Sequence, residues 1–314
     1  MKISVLGHYA KDFFHTQPDG EQESVIEHPG GILYSVLTLA NLISEKDTLI
    51  PIFGVTNSEY DGVIERLKPF TNIETKGIFT YKGAVNQVHY FGEYGSHVEC
   101  SKEIAPPIPF SKIKQFVDVD GILLNMVSGF DITLETLDQI RIQARDLKVH
   151  LHFDFHSLTL GIDQEQKRFR RPLSEWRRWC FMMNSIQLSD TEASELTLEQ
   201  YNEESLINQT MTLMVNALVI TRGKRGATLI HQEHKKLFRH DIEGIESESL
   251  LSTLGCGDVF GAAFLYKYLK TQDWPAAVLY ANQAASIKTS FFGTDGLQGL
   301  RKKMEADNGA PSQK

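Results

Sequence analysis

Apolar residues fall into two patterns along the chain. Short runs, apolar on successive positions, recur at residues 3–6, 48–55, 121–127, 149–155, 181–188 and 217–221, and most are followed by a stretch with helical spacing. Strands apolar on both faces that alternate with helices predict a mostly parallel sheet covered on both sides. One helix reads off directly: Leu134, Leu137, Ile140, Ala144 and Leu147 form a single stripe at three-to-four spacing, with Asp131 or Thr133 available as its cap. Residues 32–43 predict a fully buried helix. Pro275 suits the first turn of another, and Gly293 marks its expected end.

Two segments break the alternation. Residues 13–28 are polar without a helical period, and residues 73–104 alternate like strands with Gly83, Gly92 and Gly95 as turns. They predict a small β lid added to the main sheet. The following APPIP, residues 105–109, reads as a stiff re-entry into the main body, because proline resists helix and central strand alike. No repeat is present, so the expectation is one α/β domain over residues 1–314, with residues 303–314 as a frayed polar tail.

Composition narrows the function classes. The 314 residues carry 40 acidic side chains against 32 Lys and Arg, a formal charge of −8, which argues against a nucleic-acid binder. The densest basic stretch, residues 167–178, is a short island. With 41% hydrophobic and 23% charged residues the chain is globular rather than disordered. Cys100, Cys180 and Cys256 are far apart and form no C-x-x-C pair, so neither a disulfide framework nor a zinc site is expected. The N-terminus lacks a signal-peptide pattern, and no run approaches the roughly 18 apolar residues of a membrane span. A cytoplasmic protein without a membrane partner is expected.

The densest chemistry lies in STLGCGDVFGAAFLYKYL, residues 252–269. Gly255, Cys256 and Gly257 precede Asp258, and Val259, Phe260, Ala263, Phe264 and Leu265 continue at helical spacing. A glycine-flanked turn at a helix N-terminus offers unpaired amides and the positive end of the helix dipole, which suits an anion. An aspartate there can take a proton from a hydroxyl beside a bound phosphate. It can also simply cap the helix, and the local pattern leaves both open.

This stretch resembles the C-terminal signature D-T-x-G-A-G-D-x-F of the ribokinase-like (PfkB-type) carbohydrate kinase family. The resemblance implies a ribokinase-like fold, ATP and Mg²⁺ as cofactors, and a sugar, polyol or nucleoside hydroxyl as acceptor. It makes Asp258 the general base and the amides of Gly255, Cys256 and Gly257 the anion hole. Further landmarks follow in the family's order. Gly7 and Asp12 in G-x-x-x-x-D spacing resemble its acceptor-binding aspartate, and Gly30-Gly31 resemble the glycine pair lying against the substrate. Glu192 in SDTEASEL is similar to the glutamate that holds Mg²⁺ through water. Thr221, Gly223 and Gly226 in VITRGKRG resemble the nucleotide turn, and Asn282 a residue beside the base.

Four positions depart from the family. Ser252 replaces an aspartate that helps bind a monovalent cation, which puts potassium activation in doubt. Lys288 could supply the missing charge, although a solvated lysine is the plainer reading. Ser189 stands in place of the asparagine of N-x-x-E, and Ser35 in place of the sugar-contacting asparagine. Asp154-Phe155-His156-Ser157-Leu158 lacks the arginine of D-x-N-x-R.

Outside the resemblance, HLHFDFH sets His150, His152, Asp154 and His156 on one face of a strand. Residues of one straight strand converge poorly on a tetrahedral ion, so a zinc site is not expected, and Asp154 and His156 are placed near the nucleotide or acceptor. The expected activity is ATP-dependent phosphoryl transfer to an alcohol. Its rival is a non-catalytic nucleotide or sugar sensor on the same fold. A homodimer through the lid is the expected assembly.

Overall fold

The structure, a computed structural model, describes residues 1–16, 24–91, 98–247 and 249–309. Nine strands form one sheet: β1 (Lys2–Leu6), β4 (Thr48–Val55), β5 (Ile78–Thr80), β8 (Gly121–Asn125), β9 (His150–Asp154), β12 (Ser185–Ser189), β13 (Ala217–Thr221), β14 (Ala227–Glu233) and β15 (Lys236–Ile242). Four others, β2 (Tyr9–Thr16), β3 (Ser24–Gly31), β6 (Asn86–Phe91) and β7 (Val98–Glu103), make a second sheet in the order β3-β2-β6-β7. A hairpin of β10 (Leu160–Ile162) and β11 (Arg168–Arg170) adjoins it, through a bridge between Cys100 and Lys167.

Across the large sheet the order is β15-β14-β13-β12-β9-β8-β1-β4-β5. From β13 through β5 every pairing is parallel, and β14 and β15 close one edge antiparallel. Along β1, β4, β8, β9, β12 and β13 both faces are buried, which is why these strands read as apolar runs, whereas the edge strand β15 is largely exposed. Ile3, Val5 and Leu123 pack toward the helices Leu33–Leu42, Cys256–Thr271 and Trp274–Lys288, whereas Leu6, Ile122, Leu124 and Phe153 pack toward the helix Leu134–Leu147. Among the described residues no helix is long and apolar enough to cross a membrane.

Several boundaries differ from expectation for local reasons. The lid range 13–28 begins earlier, because β2 starts at Tyr9, and residues 17–23 lie outside the described residues. Of residues 73–104, Ile78–Thr80 pairs with β4 at the edge of the large sheet, so only the later part joins the small one; Gly92 and Gly95 lie outside the described residues. The expected tail is helical to Gly309 with Met304 buried, and residues 310–314 lie outside the described residues. Thr133 caps the helix Leu134–Leu147, while Asp131 instead accepts from the amides of His8 and Ser128. The run 181–188 starts its strand only at Ser185. The helix expected to stop at Gly293 ends at Lys288; its cap Asp273 and Pro275 fit the first turn.

Candidate active site

The carboxyl ends of the parallel strands set polar groups on one rim: His8 just after β1, then Asn125, Asp154, Ser189 and Thr221. Open α/β sheets bind ligands at this rim. The helix Cys256–Thr271 starts against it, with the Gly257 carbonyl accepting from Gln187 Nε2 at 2.9 Å.

Gly255 is the N-cap, with φ of +80°, and an added β-carbon there would stand 2.3 Å from the Tyr34 ring. Both the backbone and the close approach therefore require glycine. At Gly257 a β-carbon would have only Gln187 Nε2 near it, at 3.8 Å, so that side of the turn is open. The first amides of a helix have no intrahelical partner, yet the Cys256 amide donates to the Thr253 carbonyl at 3.1 Å. Of the three amides expected to hold an anion, Cys256 is therefore already engaged and Gly255 and Gly257 are the better placed.

Asp258 is buried in the first turn of the helix. Its Oδ1 accepts from Asn125 Nδ2 at 2.6 Å, and its Oδ2 lies 3.6 Å from His156 Nε2. Burial by itself raises a carboxyl, but the His156 imidazolium and the Asn125 amide outweigh it and hold Asp258 below its ordinary value. Burial likewise disfavours a charged His156, and Asp258, Asp154 and Glu192 together reverse that and raise it. Ser35 ties this group together rather than facing outward, since it is fully buried, accepts from Asn125 Nδ2 at 3.1 Å and donates to the Asp258 carbonyl.

The small sheet brings Asp12 over the same place. A β-carbon at Gly30 would overlap Asp12 Oδ2, so glycine is what leaves room for the carboxylate, and Gly31, at φ +61°, turns the chain into the helix Leu33–Leu42. Burial, and then the charges of Asp258 and Glu99, push the Asp12 carboxyl up to about 8. Among the described residues, Asn125 Oδ1 is buried with no hydrogen-bond partner, and Asp12 Oδ2 and the Tyr34 hydroxyl are buried close enough to influence each other but with no partner at full hydrogen-bond distance. Buried orphans of this kind are expensive unless a ligand meets them.

Ser189 caps the helix Asp190–Glu195 in a capping box, with Glu192 Oε2 accepting from its amide at 2.7 Å. That explains serine at this position and gives Glu192 a structural task besides any metal. Burial raises the Glu192 carboxyl. At the next strand, Gly223 (φ +55°) and Gly226 (φ +92°) shape the turn after Thr221, and a β-carbon at Gly226 would strike the Ile242 carbonyl. Asn282, expected beside the nucleotide base, donates to the Glu243 carbonyl at 3.2 Å.

Lys288 is not solvated. Its side chain is wholly buried, Nζ donates to the Phe291 carbonyl at 3.1 Å, and it lies over the Tyr34 and Phe291 rings. His150 and His152 both face Ser185 Oγ, and enclosure by the protein lowers each to about 3, so both are neutral, His152 in the core and His150 half-buried at its edge. Asn125 and Tyr34 escaped sequence reasoning. An asparagine ending an apolar strand, GILLN, was the available signal for the first; for Tyr34, within an apolar helix, there was none.

Residues 165–298 match the family model of the pfkB family carbohydrate kinases. A ribokinase of Bacillus subtilis (strain 168) is 31% identical over 103 residues, 32% of this chain and 33% of that protein, so the match spans about a third of the curated relative's length. Among solved structures, a ribokinase from Thermotoga maritima superposes with a TM-score of 0.75 at 17% identity, covering 97% of this chain and 98% of that one. Arabidopsis thaliana ribokinase complexed with ribose and ATP gives 0.73 at 14% identity, covering 96% and 98%. At these identities the likeness is one of fold.

Proposed function

We infer that this chain, which has the ribokinase fold and carries a pfkB carbohydrate-kinase segment at residues 165–298, is a phosphotransferase acting on a hydroxyl of a sugar, polyol or nucleoside. The observation that carries the reading is the placement of Asp258. A carboxylate held ionised among Asn125, His156 and the first turn of a helix is suited to accept a hydroxyl proton beside an anion. Asp12, the Tyr34 hydroxyl and the orphaned Asn125 Oδ1 make a buried polar wall that a polyhydroxylated acceptor would satisfy.

ATP with Mg²⁺ is the donor this reading implies, supplying an activated γ-phosphoryl group whose charge the cation neutralises. Glu192 would hold that cation through water, and the turn of Thr221, Gly223 and Gly226 with Asn282 would take the nucleotide. Gly255 and Gly257 amides meet the transferred group, while Asp12 orients the acceptor toward Asp258 and the small sheet acts as a lid that excludes water. Lys288, whose ammonium group is lowered by burial but supported by the nearby Asp258 and Asp12, supplies a positive charge behind the turn in place of a monovalent cation. The sensor alternative keeps the binding groups but has no use for a buried carboxylate beside an anion site.

The test is a panel of sugars, polyols and nucleosides screened by thermal shift and by ADP release. Acceptor-dependent ADP release supports the reading. Stabilisation by ATP and by an acceptor with no ADP formed over a long incubation favours the sensor.

A further inference from the structure

Of the histidines in HLHFDFH, His150 and His152 turn to Ser185, and His156 alone turns to Asp258. Its backbone sits at φ +40°, uncommon for a side chain other than glycine, asparagine or aspartate. The neighbouring residues hold it there, since the amides of Phe155 and Ser157 donate to the carbonyls of Gln187 and Met126. Its Nδ1 meets Ser157 Oγ at 2.9 Å, and about a third of the side chain remains exposed.

We propose that His156 is a positioning residue of the transfer step, its imidazolium holding the Asp258 carboxylate in place and in charge while leaving Oδ2 open to the acceptor. This rests on the reading of Asp258 as proton acceptor. The two carboxylate oxygens are treated differently. Oδ1 is committed to Asn125 at 2.6 Å, whereas 3.6 Å from Oδ2 to Nε2 gives charge attraction without a committed hydrogen bond. A lone pair therefore remains for the incoming hydroxyl.

The pair also balances charge through the reaction. The acceptor O–H proton passes to Asp258 Oδ2, and the electron pair it leaves behind forms the new O–P bond. The bond from phosphorus to the bridging oxygen breaks, and that oxygen departs with its electrons on the nucleoside diphosphate. Asp258 is then neutral, so the imidazolium charge is no longer cancelled by it while negative charge gathers on the transferred group. Other charged groups face the pair from each neighbouring element: Asp154 from β9, Glu192 from the helix Asp190–Glu195, Asp12 from the lid, and Lys288 from the helix Trp274–Lys288.

The experiment compares kcat/KM against pH for the wild type, His156→Asn and His156→Lys. Asparagine tolerates the left-handed backbone, and lysine restores the charge. In His156→Asn the acid limb should move up by about one pH unit or more, because Asp258 loses the cation that lowers it. In His156→Lys the limb should return toward the wild-type position. An acid limb unmoved in a folded His156→Asn, whatever its rate, overturns the proposal. A second measurement needs no substrate: the His156 ring is titrated by NMR in the wild type and in Asp258→Asn, and assigned by its loss in His156→Asn. It should titrate lower in Asp258→Asn, and an identical titration in both overturns the pair. If no acceptor yields turnover, the kinase reading fails and the NMR comparison still decides the pairing.

Discussion

A β-carbon added at Gly30 would stand 1.9 Å from Asp12 Oδ2, so the residue that follows Pro29 in the small sheet is small because the Asp12 carboxyl group from the paired strand occupies its space. Gly30 is outside the left-handed region, so its constraint is this contact rather than backbone strain. Gly30→Ala should therefore displace Asp12 and lower kcat/KM for the acceptor about tenfold or more, with nucleotide affinity unchanged. Isothermal titration with ATP and steady-state kinetics with the acceptor measure the two effects. Equal loss of both would mean that the small sheet as a whole had moved.

Asp12 also predicts a pH dependence of stability. Its folded-state carboxyl lies at about 8, above the ordinary 3.8, so between those values the folded chain holds a proton that the unfolded chain has released. Stability falls with rising pH in that window and levels off above it. Asp12→Asn removes the contribution. Its melting temperature relative to wild type should climb from about pH 4 to about pH 8 and then stay level. A constant difference across that range would show that Asp12 is not held protonated.

How legible these relationships were in the sequence depends on how local they are. The strands β1, β4, β8, β9, β12 and β13 were readable because both of their faces are buried, and the turn at Gly255 to Asp258 because its residues are contiguous; the edge hairpin of β14 and β15, with β15 exposed, gave no such run. Asn125 and His156 reach Asp258, and Tyr34 abuts Gly255, from separate elements; His156 was expected near the acceptor from its place at a strand end, but its pairing with Asp258 shows only in the fold. Lys288 was misread because a lysine ending a helix is usually solvated. Here the chain after the helix folds back, and the Phe291 carbonyl and the Tyr34 ring enclose it. The range 73–104 was overextended because β5 alternates like a strand of the small sheet yet pairs with β4.

Lys288→Met keeps most of the side-chain volume and removes the charge. Turnover should fall about tenfold or more with the fold retained by circular dichroism, and the wild type should run equally in potassium and sodium at constant ionic strength. Strong potassium activation of the wild type would show that Lys288 does not fill the cation's place.

The most direct measurement of the central claim is Asp258→Asn, assayed for turnover and, separately, for ATP affinity by titration. The amide preserves shape and can still meet the Asn125 side chain, but it cannot take a proton. Turnover should fall by about two to four orders of magnitude, with ATP affinity nearly intact. Wild-type turnover in Asp258→Asn, or a parallel collapse of ATP binding, would contradict the account and leave Asp258 as a structural cap of its helix.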